Sequence, residues 1–304
     1  MTSGVGASDD WPRRSAVLWV ERSLGQRTRV VRSRRLLGGI TADIFRLDVS
    51  AGTTTDRSVV LRCWPAEAEW GGACVVRETA GLDALVGSGL PVPRMLAAEP
   101  TGEVAGNPST LTTFVAGSVA LAPPRLDDWL ARLAAMLVRI HRLPPVDLPP
   151  CEEGTSAERL ELSWLRDPGL AAEARALAAE RLDDRQSCLC HGDYQHFNVL
   201  WTASRISGVV DWPAAGRGVR GRDVGHCRLN LAVLYSVAAA ERFLSLYERE
   251  VGGSVDPVAD VRELLEFGDG WLGFIPRQVA GRTALDVPGM TSRVRDLVAL
   301  VLSR

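Results

Sequence analysis

Lysine is absent from this sequence of 304 residues, and all 35 basic residues are arginine. A Walker A phosphate loop requires a lysine, and an enzyme that forms a Schiff base requires an amine, so the composition disfavours both classes. Any contact between a basic side chain and a phosphate must therefore come from arginine. The abundance of alanine and glycine favours codon bias as the origin of this absence, but the chemical exclusion holds for either origin.

Long apolar runs and an excess of charge of one sign are also missing. The formal net charge is −2, which gives no electrostatic reason to expect nucleic acid or an anionic membrane as a partner. No apolar run approaches the length of a membrane span, and residues 1–10 lack the apolar core of a signal peptide. We therefore predict a cytoplasmic protein, in which the six cysteines are reduced and mostly buried.

The chain does contain a clear change of pattern near residue 116. Before it, short runs of Val, Ile and Leu separated by turn signals predict strands over 28–37, 42–49, 57–63 and 110–115, with one helix over 73–86. Residues 117–124 read as a linker. After it, helices are predicted from 127 or 128 to 140, within 158–182, and near 224–250, 258–267 and 292–302, with two short strands at 198–201 and 206–210. We predict an α+β protein of two lobes, 1–115 and 116–304, with a hinge near 114–118.

The strongest chemical signal is a set of three oxygen-bearing side chains. The segment His191-Gly192-Asp193 is followed by Asn198 and then by Asp211, which ends an apolar strand. One carboxylate can orient an attacking hydroxyl and accept its proton, whereas an amide oxygen and a second carboxylate are hard ligands for Mg²⁺. The spacing from Asp193 to Asn198 is that of the protein-kinase catalytic loop, and Asp211 stands where that fold has its metal-binding aspartate. The pattern predicts metal-assisted phosphoryl transfer.

Residues 190–200, followed by 209–212, resemble the aminoglycoside phosphotransferase family of kinase-like enzymes, which includes relatives of choline and homoserine kinases. That family typically carries His-Gly-Asp-x-x-x-x-Asn and then an apolar strand that ends in Asp-Trp or Asp-Phe, and this sequence has Asp211-Trp212 there. The resemblance extends over roughly 36–234. It implies a bilobal protein-kinase-like fold, with an antiparallel N-terminal sheet plus a helix and a mostly helical C-terminal lobe. It also implies Mg²⁺ as cofactor and ATP or GTP as phosphoryl donor.

The resemblance implies a role for each matching residue. Asp193 is the catalytic base, and Asn198 and Asp211 hold the metal. His191 and Asp223 brace the catalytic loop. The residues implied to bind the nucleotide are Arg62 with its acidic partner Glu78, the turn Gly38-Gly39 over the phosphates, and Phe114 and Val115 at the hinge beside the adenine.

Two positions depart from the family pattern. Arg62 stands in place of the lysine that contacts the α- and β-phosphates, and arginine has the same charge but a bulkier, planar head group. In Asp211-Trp212-Pro213 the third residue is not glycine. This difference argues against an activation segment that flips, and it favours a constitutively active enzyme.

The acceptor implied by the resemblance is a small hydroxylated molecule. Antibiotics come first, with aminoglycosides ahead of macrolides or cyclic peptides, which would make the protein a resistance kinase. A metabolite kinase for an amino alcohol or a sugar is an alternative, and so is a kinase-like module that binds nucleotide without turnover, which only Arg62 supports. The acidic residues Glu263, Glu266 and Asp269 are either a solvated helix face or a wall for a cationic acceptor.

A group of cysteines and histidines invites a zinc interpretation. Cys188, Cys190, His191 and His196 have a Cys-x-Cys-His spacing that fits no standard zinc finger, and no second pair lies at finger distance. We therefore expect these residues to be structural rather than metal ligands. His141, at the end of an apolar-faced helix, is predicted to be a packed or capping residue.

Overall fold

The computed structural model describes residues 10–36, 41–52, 57–144, 148–151, 154, 156–183, 185 and 187–304. The chain divides into two compact units, Met1–Val86 with Val92–Val115 and Gly87–Pro91 with Ala116–Arg304. Among the described helices, none has both the length and the apolar character that crossing a bilayer requires. The predicted α+β class is confirmed.

In its described residues, the N-terminal unit contains one antiparallel sheet and two helices. Its elements are α1 (Arg14–Leu24), β1 (Arg29–Arg35), β2 (Asp43–Ser50), β3 (Arg57–Cys63), α2 (Gly71–Ala84), β4 (Met95–Glu99) and β5 (Ser109–Thr113). The spatial order of the strands is β1-β2-β3-β5-β4. Alternate residues of a strand share one face, and in β2 and β3 the buried face includes Leu47 and Leu61, which pack with Trp19 and Val20 of α1.

The C-terminal unit is mostly helical. Its elements are β6 (Ser118–Val119), α3 (Leu126–His141), α4 (Pro168–Ala179), β7 (Ser187–Cys190), β8 (Val199–Thr202), β9 (Arg205–Val209), β10 (Gly216–Val219), α5 (Arg220–Leu234), α6 (Val237–Val251), α7 (Pro257–Leu264), α8 (Asp269–Val279) and α9 (Val287–Leu302). Strands β6, β8 and β9 form one small sheet, and β7 pairs with β10 in another.

The two small sheets of this unit bring two loops together. One loop, residues 191–198, runs from β7 to β8, and the other, residues 210–215, runs from β9 to β10. The backbone N–H of Val210 donates to the carbonyl of Asn198 at 2.9 Å, so the end of the first loop lies beside the start of the second. All the residues predicted for catalysis and metal binding lie on these loops.

Several elements differ from the prediction. The single helix expected over 224–250 is two helices, because Ser236 caps α6 by accepting a hydrogen bond from the N–H of Ala239 at 3.1 Å. Helix α1 is not predicted, since Arg13 at its N-cap makes no side-chain cap. Helix α8 is not predicted either, because Gly270, Gly273 and Pro276 obscure its pattern. The predicted linker contains the short strand β6.

Candidate active site

A glycine shapes residues 191–198, the predicted catalytic loop. Gly192 has a φ of +81°, and a Cβ atom on it would lie 2.1 Å from the carbonyl oxygen of Ala214. Only glycine satisfies both the left-handed backbone and the close approach. The turn at Gly192 therefore packs the start of the catalytic loop directly against the neighbouring loop, and it sets the direction in which Asp193 leaves the backbone.

Asp223, in the first turn of α5, holds this turn through its carboxylate. It accepts hydrogen bonds from the backbone N–H groups of His191 at 2.7 Å and Gly192 at 2.8 Å. A ring nitrogen of His141 lies 3.0 Å from the same carboxylate, and the other ring nitrogen bonds to the Tyr247 hydroxyl at 2.7 Å. Burial raises the pKa of Asp223, but the contacts with His141 and His191 outweigh it and the pKa lies below its usual value.

His191 connects the two loops. Its Nε2 lies 3.0 Å from the carbonyl oxygen of Val210, and its Nδ1 accepts a hydrogen bond from the N–H of Asp193 at 3.2 Å. A carbonyl can only accept, so the ring carries its proton on Nε2. The ring also packs against Trp212, with centroids 4.3 Å apart. His191 thus lies in a position to brace the loop, and it leaves direct contact with a ligand to Asp193.

The carboxylate of Asp193 is held by neighbouring donors. Gln195 Nε2 donates to Oδ1 at 2.7 Å, and Asn198 Nδ2 donates to Oδ2 at 2.8 Å. His226 Nε2 lies 2.7 Å from Oδ1. Burial raises the pKa of Asp193, but the charge of His226 and these hydrogen bonds outweigh it and lower the pKa below its usual value. The side chain remains 34% exposed, so an ionised carboxylate is accessible to a ligand.

Asn198 and Asp211 offer the oxygen donors that Mg²⁺ prefers. Asn198 Nδ2 donates both to the carboxylate and to the backbone carbonyl of Asp193, the latter at 2.9 Å, which turns the amide oxygen away from Asp193. Asp211 has a φ of +73°, a left-handed conformation that is uncommon outside glycine. It follows Val210, whose N–H bonds to the Asn198 carbonyl. The donor set fits a hard divalent cation.

In the N-terminal unit, Arg62 of β3 and Glu78 of α2 lie together. Arg62 Nη2 is 3.8 Å from Glu78 Oε1, and both side chains are largely buried. The hydroxyl of Thr110 donates to Glu78 Oε2 at 2.7 Å, which fixes the carboxylate under β5. Burial and this second partner distinguish the pair from a solvated surface ion pair.

The remaining predicted nucleotide contacts are placed only in part. Phe114 and Val115 follow β5 and are half-buried, and the guanidinium of Arg46 lies over the Phe114 ring at 4.3 Å from its centroid. Gly38 and Gly39 lie outside the described residues. A role of these residues in binding nucleotide therefore stays a prediction.

His226 of α5, like Gln195, is a site residue that was not predicted from the sequence. It lies between two carboxylates, with Nε2 2.7 Å from Asp193 and Nδ1 3.4 Å from Glu263. Its spacing from Asp223 is a usable signal, because residues three apart share a helix face. Glu263, predicted either as a solvated residue or as part of an acidic wall, faces His226 and Arg222.

The cysteines and histidines considered above as possible zinc ligands are held by packing and by hydrogen bonds. All six cysteines are free. His196 is fully buried, and burial lowers its pKa to about 3, so it is a neutral residue that packs against Trp129 and Tyr235. Ligand atoms of His141, Cys188 and Cys190 do lie within 4.8 Å of one another. Both ring nitrogens of His141, however, are engaged by Tyr247 and Asp223.

Replacing Gly192 with alanine is expected to lower the free energy of unfolding by about 2 to 4 kcal/mol, because it adds a steric clash to the left-handed strain. Gly252 is the matched control, since it has a φ of +77° and a Cβ atom added there would meet nothing within 4 Å. Gly252→Ala should cost only about 1 kcal/mol. Urea denaturation of both variants measures the difference, and equal losses would show that the contact with Ala214 is unimportant.

Known proteins share the family profile and the fold of this chain. The profile of the phosphotransferase enzyme family matches residues 34–260, while no curated protein matches the sequence. Among solved structures, the chain is similar to an aminoglycoside phosphotransferase mutant in ternary complex with AMP-PNP and hygromycin B, with 16% identity, a TM-score of 0.62 and coverage of 96% of this chain and 98% of that one.

Two further structures have the same fold. One is a macrolide 2'-phosphotransferase from Brachybacterium faecium, with 17% identity, a TM-score of 0.57 and coverage of 95% and 98%. The other is an aminoglycoside-3'-phosphotransferase of type VIII, with 22% identity, a TM-score of 0.57 and coverage of 84% and 99%. The predicted kinase-like fold is thereby confirmed. The chain belongs to the phosphotransferase enzyme family, as the resemblance of its catalytic segment predicts.

Proposed function

We propose that this phosphotransferase moves the γ-phosphoryl group of ATP to a hydroxyl of an antibiotic, with Asp193 as the catalytic base. The observation that carries the proposal is the state of Asp193. Its carboxylate is accessible, is oriented by Gln195 and Asn198, and has a lowered pKa. An ionised, oriented carboxylate is what a general base toward an alcohol requires.

With Asp193 as the base, every bond and proton of the reaction is accounted for. The acceptor oxygen forms a bond to the γ-phosphorus, the bond from that phosphorus to the bridging oxygen breaks, and the nucleoside diphosphate leaves. The hydroxyl proton passes to Asp193. Asn198 and Asp211 would hold Mg²⁺, which when bound neutralises charge on the phosphates. Positioning and electrostatic stabilisation supply most of the rate in such transfers.

Similar structures support the choice of donor and acceptor. One of them holds AMP-PNP with hygromycin B, and another is a macrolide 2'-phosphotransferase. These similarities support ATP as the donor and an antibiotic as the acceptor, with aminoglycosides first and macrolides next.

The test is a transfer assay with the purified protein. It is incubated with ATP and Mg²⁺ and with a panel of aminoglycosides, macrolides and metabolite alcohols, and products are detected by mass spectrometry. We expect a mass gain of one phosphoryl group on an antibiotic, dependent on added Mg²⁺. Transfer to a metabolite alone would overturn the antibiotic acceptor. Stabilisation by nucleotide without transfer to any acceptor would overturn the enzymatic proposal and favour a binding module.

We further propose that Arg62 contacts the α- and β-phosphates of the donor, with Glu78 fixing its direction. Arg62→Ala is expected to raise the KM for ATP about tenfold, because one charge-assisted hydrogen bond contributes about 1.5 kcal/mol or more. Arg62→Lys should have a smaller effect, since the charge is kept and the fork geometry lost.

Arg57→Ala is the control for this change, because Arg57 is exposed on the same strand. Steady-state kinetics with varied ATP give the comparison. An unchanged KM for ATP in Arg62→Ala, with the variant as stable as the parent, would remove Arg62 from nucleotide binding.

A further inference from the structure

His226 occupies a position between the catalytic carboxylate and a second acidic residue. Its Nε2 lies 2.7 Å from Asp193 Oδ1, which is within ion-pair distance. Its Nδ1 lies 3.4 Å from Glu263 Oε2. The imidazole is 18% exposed and the Glu263 side chain 15%. Each ring nitrogen therefore faces a carboxylate from a different element of the unit.

A glycine makes this arrangement possible. Gly225 precedes His226 on α5, and a Cβ atom there would lie 2.9 Å from the Cβ of Glu263 and 3.0 Å from the carbonyl oxygen of Asp260. One turn earlier, a Cβ atom on Gly221 would lie 2.5 Å from that of Ala259. Helix α5 thus approaches α7 more closely than larger residues allow, and this approach brings Glu263 within reach of His226.

The charges of the group are balanced. Burial lowers the pKa of His226, but the carboxylates of Asp193 and Glu263 outweigh it and raise the pKa to about 10, so the ring is an imidazolium at neutral pH. Arg222 Nε lies 3.8 Å from Glu263 Oε1. Positive and negative side chains therefore alternate in the order Arg222, Glu263, His226 and Asp193. Removing one member of a partly buried ion group leaves an uncompensated charge, which is costly.

The contacts divide the two oxygens of Asp193 into different environments. Oδ1 faces both Gln195 Nε2 and His226 Nε2, whereas the hydrogen bond to Oδ2 comes from Asn198 Nδ2. Among the described residues, two nitrogen groups therefore face Oδ1 and one donates to Oδ2, so Oδ2 is the less crowded oxygen toward an acceptor hydroxyl.

We propose that His226, anchored by Glu263, is a positioning residue that holds Asp193 Oδ1 and thereby presents Oδ2 to the acceptor hydroxyl. This inference rests on the proposed function, since it assigns a role relative to the base of that reaction. His226 itself takes no proton from the acceptor. Because a small displacement of a reacting group can cost about 100-fold in rate, the loss of this contact should reduce turnover rather than substrate binding.

The experiment compares two replacements of His226 in the full chain. His226→Leu removes the ring N–H groups, and His226→Gln keeps an N–H donor without the charge. We expect His226→Leu to lower kcat about 10- to 100-fold with both KM values within about twofold of the parent, and His226→Gln to recover part of the loss. Glu263→Gln should lower kcat in the same way, and the double variant His226→Leu/Glu263→Gln should lose no more than the larger single loss, because coupled residues are non-additive.

Two measurements separate this role from a general structural one. Glu250→Gln, at an exposed glutamate of α6, is the control for loss of a carboxylate and should keep the parent kcat. A crystal structure of His226→Leu should show Asp193 in a different rotamer or in more than one. A kcat within about twofold of the parent in both His226 variants would overturn the inference, and so would an unchanged Asp193 rotamer with equal losses in the Leu and Gln variants.

The same assay distinguishes failure of this inference from failure of the proposed function. If the parent protein transfers phosphate and Asp193→Asn does not, the function stands, and the His226 variants alone decide the inference. If the parent transfers phosphate to no acceptor, the proposed function fails, and the role assigned to His226 in turnover fails with it.

Discussion

Replacing Asp193 with asparagine is expected to lower kcat about 10²- to 10⁴-fold, the usual contribution of a positioned general base. Asparagine has nearly the same shape, and its one oxygen can accept from either Gln195 or Asn198, which donate to different oxygens of Asp193. Because the Asp193 side chain is 34% exposed, the new NH₂ group can turn toward solvent, so the loop should retain its conformation. It cannot accept the proton of the acceptor hydroxyl as a carboxylate does. The KM values for ATP and the acceptor should change little, because the lost interaction belongs to the transition state.

The measurement is steady-state kinetics of the variant beside its thermal denaturation. Asp128→Asn, at an exposed carboxylate of α3, is the matched control and should have the parent kcat. An Asp193→Asn protein that is folded and turns over at the parent rate would show that another group accepts the proton.

The second large effect concerns stability. Asp223→Asn is expected to lower the free energy of unfolding by about 3 kcal/mol, because both oxygens of the buried carboxylate accept from backbone N–H groups. In asparagine one oxygen becomes an NH₂ group, which would face an N–H donor of His191 or Gly192. The turn that directs Asp193 would then lose its support, so kcat should fall together with stability.

The pH dependence of stability tests the same carboxylate. The pKa of Asp223 in the folded protein lies below the usual value of an aspartate because His141 and the backbone N–H groups stabilise the ionised form, so the unfolded chain binds a proton here more readily. The contribution of Asp223 to stability is therefore fully present above about pH 4 and is lost as the pH falls through the folded pKa. We expect the stability difference between the parent and Asp223→Asn to be constant near neutral pH and to shrink under acid conditions.

Chemical denaturation at several pH values gives this difference, with Asp128→Asn again as the control. A variant as stable as the parent at neutral pH would show that the two backbone N–H groups find other partners, and the brace would then be unnecessary.

The catalytic segment could be predicted from sequence because its residues are close along the chain. Asp193 and Asn198 lie on one short loop, and Asp211 follows the hairpin that begins at that loop. Local spacing therefore fixes much of the geometry. The strands of the N-terminal sheet were predictable for a similar reason, since alternating burial leaves a pattern of period two.

His226 could not be predicted in the same way. Its contact with Glu263 depends on the packing of α5 against α7, and that packing depends on Gly221 and Gly225. A glycine within a helical pattern usually weakens the prediction of a helix. The role of these two glycines in close helix packing is therefore recognisable only once the position of α7 is known. The break at Ser236 is similar, because a serine cap is a weak signal without glycine or proline beside it.

Helix α5 supplies both the carboxylate that supports the turn at Gly192, Asp223, and the imidazole that contacts the proposed base Asp193, His226. For protein engineering, this has a practical consequence. Libraries aimed at new acceptors should leave residues 221–226 unchanged, because substitutions there alter turnover and folding together. In α8, by contrast, a side chain added at Gly270 or Gly273 would meet open space, so substitutions there should leave the fold intact.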